Sequence, residues 1–243
     1  MSAALALSAC GSDDGGGGEE GEGKIGVILP DTKSSVRWES ADRPALTKAF
    51  KDAGVEYDIQ NAEGDAQRQA TIAEQMITEG ATVLAIVNLD SASGAQIQES
   101  AEAEGVQTID YDRLTLGGSA EYYVSFDNTV VGELQGQGLA DALKEKPQGA
   151  NVIEIEGAPT DNNATLFYNG QQKVLKPKYE AGDLKLVQSK PIDKWDNQVG
   201  GTTFEQILTG NGGKVDGVVA ATVGPGRDER HSPLGKAYLI VRP

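Results

Sequence analysis

Polar and aromatic side chains follow the predicted β-strands, at the point where each strand ends. These side chains lie in segments 31–38, 111–113, 159–164 and 195–196. Asp, Asn and Arg make several hydrogen bonds to hydroxyl groups, and an aromatic ring can lie against the apolar face of a pyranose. Both tryptophans of the chain, Trp38 and Trp195, fall in these segments, one in each half. The pattern predicts a site that holds a sugar between two rings.

The chain contains one cysteine, Cys10, and one histidine, His231. Metal sites built from Cys and His, and thiol–imidazole nucleophiles, need more of these residues than the chain has. We therefore expect no metal, no cofactor and no catalytic residue. One enzymatic alternative stays open, a glycosidase that uses Asp112 and Asp161 as its carboxylate pair, because the sequence does not give the distance between them.

The composition narrows the class of protein further. The 243 residues are 38% hydrophobic, which is enough for a packed core in one large domain or two smaller ones. A formal net charge of −16 opposes binding to nucleic acid, because the phosphates would be repelled. After the N-terminal segment, no apolar run approaches the roughly 20 residues that span a bilayer.

The N-terminal segment indicates export. The residues LSAC, ending at Cys10, resemble the lipobox at which bacterial lipoproteins are cleaved and acylated on the cysteine. Residues 11–23 are almost entirely glycine and acid, which is typical of a flexible tether. Residues 1–9 lack the Lys or Arg of a secretory signal, so we expect the true start to lie upstream. We expect an extracytoplasmic protein, lipid-anchored at Cys10 and touching the membrane only through that anchor; the alternative is a buried structural cysteine.

Short apolar runs alternate with longer amphipathic segments from Lys24 onward, with a repeat of about 25 residues. This alternation is typical of βα units on a parallel sheet. The predicted strands are 25–29, 55–59, 83–87 and 106–109 in the first half, and 122–126, 152–155, 184–188 and 215–220 in the second. Gly54, Gly80 and Gly105 follow the helices of the first half, as glycines at helix C-termini do.

The repeat predicts an α/β fold of two tandem Rossmann-like lobes, residues 24–125 and 126–221. Open sheets of this kind bind ligands at the C-terminal ends of their strands, so a cleft between the lobes should collect the polar segments. The residues predicted to face inward on the first helix of the second lobe are Val131, Leu134, Leu139 and Leu143.

Residues 222–243 break the pattern. They contain Gly224, Pro225, Gly226 and Pro233, and four basic residues against two acids in an otherwise acidic chain. No further βα unit is predicted there. Two interpretations stay open, a natural irregular tail and a reading frame that shifts or ends early.

Several strings resemble the D-xylose- and multiple-sugar-binding proteins of the periplasmic binding protein type I family, also called the ribose/galactose-binding superfamily. They are TKSSVRW, YDRL, YYVSFDN followed by VGELQ, DNNA and VLKP, in the family's order from about Lys24 to Ala220. The resemblance implies ligand contacts from the first lobe by Lys33, Arg37, Trp38, Asp112 and Arg113. It implies contacts from the second lobe by Asp161, Asn162, Asn163 and Trp195.

Each of these residues also has a purely structural interpretation. Trp38 could be a packing residue, Arg113 could simply pair with Asp112, and Asp161 could cap the helix that follows it. Their convergence at the predicted strand ends favours the binding site.

The resemblance also implies a function without bond chemistry: the substrate-binding subunit of a sugar ABC importer, closing about a hinge on xylose or a related aldose. The implied partners are the transmembrane permease subunits and a chemoreceptor or sensor kinase, with the protein itself a monomer. The LacI-type repressors share this fold and ligand range, but they carry a helix-turn-helix where this chain has the tether.

The chain departs from the family pattern at its C-terminal end. Where relatives continue into an Asn-Asp or Tyr-Asp pair, this chain has Thr222 and Val223, and their later Gln-Asp-Ala segment and third hinge strand have no match. We therefore expect the second lobe to be incomplete and sugar binding to be weakened or lost.

Overall fold

Two β-sheets covered by helices organise the computed structural model, which describes residues 23–146, 148–221 and 238–239. The strands of the first sheet are β1 (Lys24–Leu29), β2 (Tyr57–Asn61), β3 (Ala81–Ile86), β4 (Gln107–Tyr111) and β5 (Tyr122–Val124). All pairs in this sheet are parallel, in the spatial order β2-β1-β3-β4-β5. The helical segments of this lobe are a π-helical turn at Trp38–Asp42, α1 (Arg43–Ala53), α2 (Ala66–Thr78) and α3 (Ser91–Ala103).

The second lobe repeats the arrangement. Its strands are β6 (Ala150–Glu156), β7 (Leu184–Pro191), β8 (Gly217–Ala220) and β9 (Tyr238–Leu239). Its helical segments are α4 (Asn128–Leu143), α5 (Asn162–Glu180), a 3-10 turn at Asp193–Trp195 and α6 (Asn197–Gly210). The spatial order is β7-β6-β8-β9, with β6 parallel to both β7 and β8. The predicted α/β fold of two tandem lobes is confirmed. The strand predicted at 122–126 to open the second half is instead β5 of the first sheet, where it pairs with β4.

Strand β1 is buried on both faces, as helices on either side of a parallel sheet require. Val27 and Leu29 of β1 pack on one face in a cluster that includes Trp38. Ile28 points to the other face, where it packs with Met76 of α2. Successive side chains of one strand thus fill two separate hydrophobic layers.

Aspartate side chains cap five of the six α-helices in the described residues. The side chains of Asp65, Asp90, Asp127, Asp161 and Asp196 each accept a hydrogen bond from a backbone N–H of the first turn. Such a cap satisfies one of the donors that a helix N-terminus leaves unpaired. Because each cap follows a strand or a short loop, the caps fix where the polar segments turn into helices.

The buried face of α4 differs from the predicted one. Leu139 and Leu143 are buried as expected, but Leu134 is 58% exposed. Gly132 lies so close to α5 that an added Cβ would sit 2.1 Å from the carbonyl oxygen of Phe167. The helix therefore turns its glycines towards α5, and this rotation leaves Leu134 outside.

The last predicted strand, 215–220, is present as β8, and the two residues of β9 pair antiparallel with it. The remaining residues of the predicted irregular tail, 222–237 and 240–243, lie outside the described residues. So do Cys10 and residues 11–22 of the predicted tether.

Candidate functional site

The loop after β1 is held by Asp31. Its carboxylate accepts hydrogen bonds from the backbone N–H of Lys33 at 2.7 Å and of Ser34 at 2.5 Å, and from the Ser34 hydroxyl at 2.7 Å. Ser34 Oγ in turn accepts from Trp38 Nε1 at 3.1 Å. This chain of bonds orients the turn that carries Arg37 and Trp38.

Trp38 lies inside the first lobe. It is 3% exposed and packs with Val27, Leu29 and Val87. The Arg37 guanidinium lies over its ring, 4.1 Å from the ring centroid. The ring therefore supports the arginine from below, which is a packing role of the kind that the sequence left open.

Arg37 connects this loop to the end of β4. Its Nη2 donates to Asp112 Oδ2 at 2.5 Å, and its Nε forms an ion pair with Asp42 Oδ2 at 3.2 Å. About a third of the Arg37 side chain stays exposed. The guanidinium is thus oriented by two carboxylates and a ring, with donors that can reach a polar ligand.

Asp112 has a left-handed backbone conformation, with a φ of 66°. Aspartate tolerates this conformation better than most residues. The backbone oxygen of Asp112 accepts from Ser125 Oγ at 2.7 Å, and its Oδ1 accepts from Asn163 Nδ2 at 3.2 Å. The turn therefore directs the carboxylate towards the second lobe.

Arg113 pairs across the lobes with Asp161 instead of with its neighbour Asp112. The distance between Arg113 Nε and Asp161 Oδ2 is 2.9 Å, and the two side chains are 7% and 3% exposed. Arg113 Nη1 also donates to the backbone oxygen of Asn88 at 3.2 Å. A buried charge needs such a partner, because desolvation of an isolated ion is costly.

Asp161 combines three interactions. Its Oδ1 accepts from the Asn163 N–H and caps α5, while Oδ2 accepts from Trp195 Nε1 at 2.9 Å and forms the ion pair with Arg113. Burial raises the pKa of the Asp161 carboxyl above its usual 3.8, although Arg113, Asn163 and Trp195 act in the opposite direction. Asp161 therefore caps α5 and forms the interlobe ion pair at the same time.

Trp195 is 8% exposed and has a left-handed backbone, with a φ of 56°. Its ring meets Phe167 edge to face, with centroids 6.2 Å apart. A Cβ on Gly157 would lie 2.1 Å from the Trp195 ring, so glycine is required beneath it. These contacts fix the indole beside Asp161.

Asn163 joins the two lobes a second time. Its Nδ2 donates to the backbone oxygen of Asp112 at 3.0 Å as well as to Asp112 Oδ1. Its Oδ1 accepts from Asn128 Nδ2 at 2.9 Å and from Tyr123 Oη at 3.3 Å. Asn128 and Tyr123 were missed as site residues, although both lie in the YYVSFDN string that carries the family resemblance.

Lys33 and Asn162 lie at the margin of this group. The Lys33 side chain is exposed, and its backbone oxygen accepts from Asn197 Nδ2 of the second lobe at 3.4 Å. Asn162 is half-buried in the first turn of α5. Among the described residues, no hydrogen bond joins either side chain to Asp112, Arg113 or Asp161. The structure therefore brings seven of the nine predicted residues into one connected group.

Other features bear on what the protein can bind. No cluster of three or more His, Cys, Asp or Glu side chains suited to a metal ion occurs in the described part of the chain. None of the helices in residues 23–146 and 148–221 is long and apolar enough to cross a membrane.

A separate open groove of about 400 Å³ lies between β7 and α6. Its lining includes Gln188, Lys190 and Gln206, and it contains none of the predicted site residues.

Two α/β lobes that present donors and acceptors to each other at their strand ends define a two-lobed binding protein. The chain belongs to the periplasmic binding protein domain family, which matches residues 25–227. The predicted resemblance to D-xylose- and multiple-sugar-binding periplasmic proteins is confirmed.

The chain is similar to named relatives along most of its length. It is 36% identical over 200 residues to a D-xylose-binding periplasmic protein of Escherichia coli (strain K12), covering 82% of this chain and 59% of the relative. It is 36% identical over 208 residues to a multiple sugar-binding periplasmic protein of Azospirillum brasilense, covering 81% and 57%. The chain thus spans somewhat under 60% of the length of these curated relatives.

Solved structures are similar as well. An ABC transporter solute-binding protein from Clostridium phytofermentans with bound β-D-glucose has a TM-score of 0.75 and 31% identity, over 82% of this chain and 64% of that one. A carbohydrate transporter solute-binding protein from Chloroflexus aurantiacus in complex with D-glucose has a TM-score of 0.70 and 29% identity, over 76% and 60%. Both comparisons agree with the two-lobed fold.

Proposed function

We propose that this protein is the substrate-binding subunit of a sugar ABC importer and holds a monosaccharide between its lobes, residues 24–125 and 126–221. The observation that carries the proposal is the meeting of Arg37 and Asp112 of the first lobe with Asp161, Asn163 and Trp195 of the second. All are donors, acceptors or rings of the kinds that recognise sugar hydroxyls and ring faces.

The proposed ligand is D-xylose or a related aldose. The relatives named for xylose and for multiple sugars, and the neighbours with bound glucose, support this class. Arg37 and Asp112 would fix adjacent hydroxyls, because a guanidinium donates and a carboxylate accepts in one plane. The proposed ligand contacts are those predicted: Lys33, Arg37, Asp112, Arg113, Asp161, Asn162, Asn163 and Trp195 directly, and Trp38 through Arg37, whose guanidinium lies over its ring.

The proposed mechanism is closure of the lobes about the β5–α4 connection. The cross-lobe contacts of the closed arrangement are Arg113 with Asp161, Asn163 with Asp112, and Asn197 with the Lys33 and Ser34 carbonyls. A sugar that contacts both lobes stabilises this closed form and shifts the equilibrium towards it. The permease then recognises the closed form.

We propose binding without bond chemistry. A glycosidase would need one of its two carboxylates to protonate the leaving oxygen. Asp112 accepts from Arg37 and Asn163, and Asp161 accepts from Trp195 and forms an ion pair with Arg113, so donors and cations already surround both groups. Incubation with aryl xylosides and glucosides should release no aglycone, and measurable turnover would favour the enzyme.

We further propose an extracytoplasmic monomer that is lipid-anchored at Cys10 and works with a permease, and with a chemoreceptor or sensor kinase. The lipobox-like LSAC segment supports the anchor. Mass spectrometry of the protein from its native membrane should find diacylglycerol on Cys10. An unmodified cysteine on a cytosolic product would reject the anchor and leave the sugar proposal to be tested separately.

Titration calorimetry tests the binding proposal. D-xylose, D-glucose, D-galactose and L-arabinose should be titrated into the full chain, with mannitol as a polyol control. The expected result is heat that saturates with at least one aldose, weakly because of the departure from the family pattern at Thr222 and Val223, and that disappears in Arg37→Met. No heat with any of the four aldoses would reject the sugar assignment.

A further inference from the structure

The side-chain amide of Asn163 has partners on both of its sides. Nδ2 faces two oxygens of Asp112, the backbone oxygen at 3.0 Å and Oδ1 at 3.2 Å. Oδ1 faces two donors, Asn128 Nδ2 at 2.9 Å and Tyr123 Oη at 3.3 Å. Asn163 and Asn128 are 5% and 3% exposed, so water contributes little to either group.

This arrangement allows one orientation of the amide. A flipped Asn163 would direct Oδ1 at the Asp112 oxygens and Nδ2 at the donor group of Asn128. Both contacts would be unfavourable, since buried polar atoms without a complementary partner lose a full hydrogen bond. Asn128 and the Asp112 oxygens therefore together fix which atom of Asn163 faces the first lobe.

The same residues lie on the connection between the lobes. Tyr123 belongs to β5, and Asn128 is the first residue of α4, with three residues between these two elements. Ser125 in this connection donates to the Asp112 backbone oxygen at 2.7 Å and accepts from Asn128 Nδ2 at 3.3 Å. The Asp112 backbone oxygen thus accepts one hydrogen bond from Ser125 in the connection and another from Asn163 in the second lobe.

We infer that Asn128 is a positioning residue for the sugar site, which it serves by holding the Asn163 amide with Nδ2 towards Asp112. Tyr123 is the second donor in this role. The expected effect of Asn128 on sugar affinity rests on the proposed function, because Asn163 and Asp112 are proposed ligand contacts. It also makes the amide orientation depend on the geometry of the connection between the lobes.

The first test needs no ligand. The side-chain amide protons of Asn163 are identified by NMR from their loss in Asn163→Ala, and their exchange with solvent is then compared among variants. Asn128→Ala should speed this exchange about tenfold, as loss of one buried hydrogen bond predicts. The control Gln137→Ala, an exposed amide on the same helix that pairs with Asp141, should leave it unchanged. Equal exchange in Asn128→Ala and in the control would overturn the inference.

The second test is a double-mutant cycle on sugar affinity. Asn128→Ala should weaken binding about tenfold in the otherwise unchanged chain and by less than about twofold in Asn163→Ala, because the positioned group is then gone. Equal losses in both backgrounds would contradict the inference. If the unchanged chain binds no aldose, the proposed function fails, and the amide exchange alone decides the role of Asn128. Tyr123→Phe keeps the ring and serves in both tests if Asn128→Ala does not fold.

Discussion

Arg113 of the first lobe and Asp161 of the second form an ion pair, with 2.9 Å between Arg113 Nε and Asp161 Oδ2 and both side chains buried. The Asp161 carboxylate also accepts from Trp195, and the Arg113 guanidinium lies 5.8 Å from the centroid of the Trp38 ring. The two tryptophans thus belong to separate cores, and this ion pair connects them across the boundary between the lobes.

Removal of the Asp161 carboxylate should destabilise the protein strongly. Asp161→Ala leaves the buried Arg113 unpaired and removes a helix cap, and the expected loss is about 3–5 kcal/mol in the free energy of unfolding. The matched control is Asp196→Ala, which removes the cap of α6, and it should cost about 1 kcal/mol. Urea unfolding measures both, and similar losses would show that the cross-lobe pair contributes little.

A substitution at Asp112 should lower sugar affinity while leaving the free energy of unfolding nearly unchanged. Asp112→Asn retains a residue that tolerates the positive φ, so stability should change by less than about 1 kcal/mol. The lost charge weakens hydrogen bonds to sugar hydroxyls, and affinity should fall by roughly 10- to 100-fold. Calorimetry and urea unfolding on the same preparation check this, and unchanged affinity would remove Asp112 from the site.

Stability should fall as the pH rises from about 5 to about 8. Glu156 is half-buried at the end of β6 with both carboxylate oxygens buried, and desolvation together with the nearby charge of Glu154 raises the pKa of its carboxyl from 4.5 to about 8. The folded state therefore holds a proton that the unfolded state releases above pH 4.5, so the stabilisation is full below that pH and lost by pH 8. The total change is on the order of 4 kcal/mol. Burial also raises the pKa of Asp110 and of Asp161, with the same sign.

Unfolding curves at several pH values test this dependence. In Glu156→Gln the slope between pH 5 and pH 8 should be much reduced, because the neutral amide does not titrate. Glu180→Gln, at an exposed position of α5, should retain the slope of the unchanged chain. A slope that survives in Glu156→Gln would place the titrating group elsewhere.

The close contact of α4 with α5 depends on glycine. Gly132→Ala would place a Cβ 2.1 Å from a backbone oxygen of α5, and the expected cost is about 1–3 kcal/mol or more. Gly201→Ala in α6 meets no atom within 4 Å and should stabilise the helix by up to about 1 kcal/mol. Thermal unfolding of the pair gives the comparison, and equal effects would rule out the steric explanation.

Much of the fold could be predicted because its signals are local. The helices of the first lobe are each followed by a glycine, and Gly54 ends α1 with a φ of 70°. The face of α4 could not be predicted from its leucines, because Gly132 and Gly136 contribute no hydrophobic signal. Only the approach of α5 shows that they are the buried positions.

The site was harder to predict for a related reason. Residues such as Arg113 and Asp161 stand at strand ends and share a sequence signal, but their pairing depends on how the two lobes meet. Asn128 and Tyr123 become partners of Asn163 only in that arrangement. Neither periodicity nor composition encodes a hydrogen bond between residues that are about 35 to 40 positions apart.

A crystal structure of the full chain grown with D-xylose or D-glucose tests the proposed sugar site most directly. We expect a pyranose between the lobes, with Arg37 and Asp112 on one side and Asn163 and Trp195 on the other. A sugar bound in the groove between β7 and α6, or held by residues of one lobe alone, would contradict it.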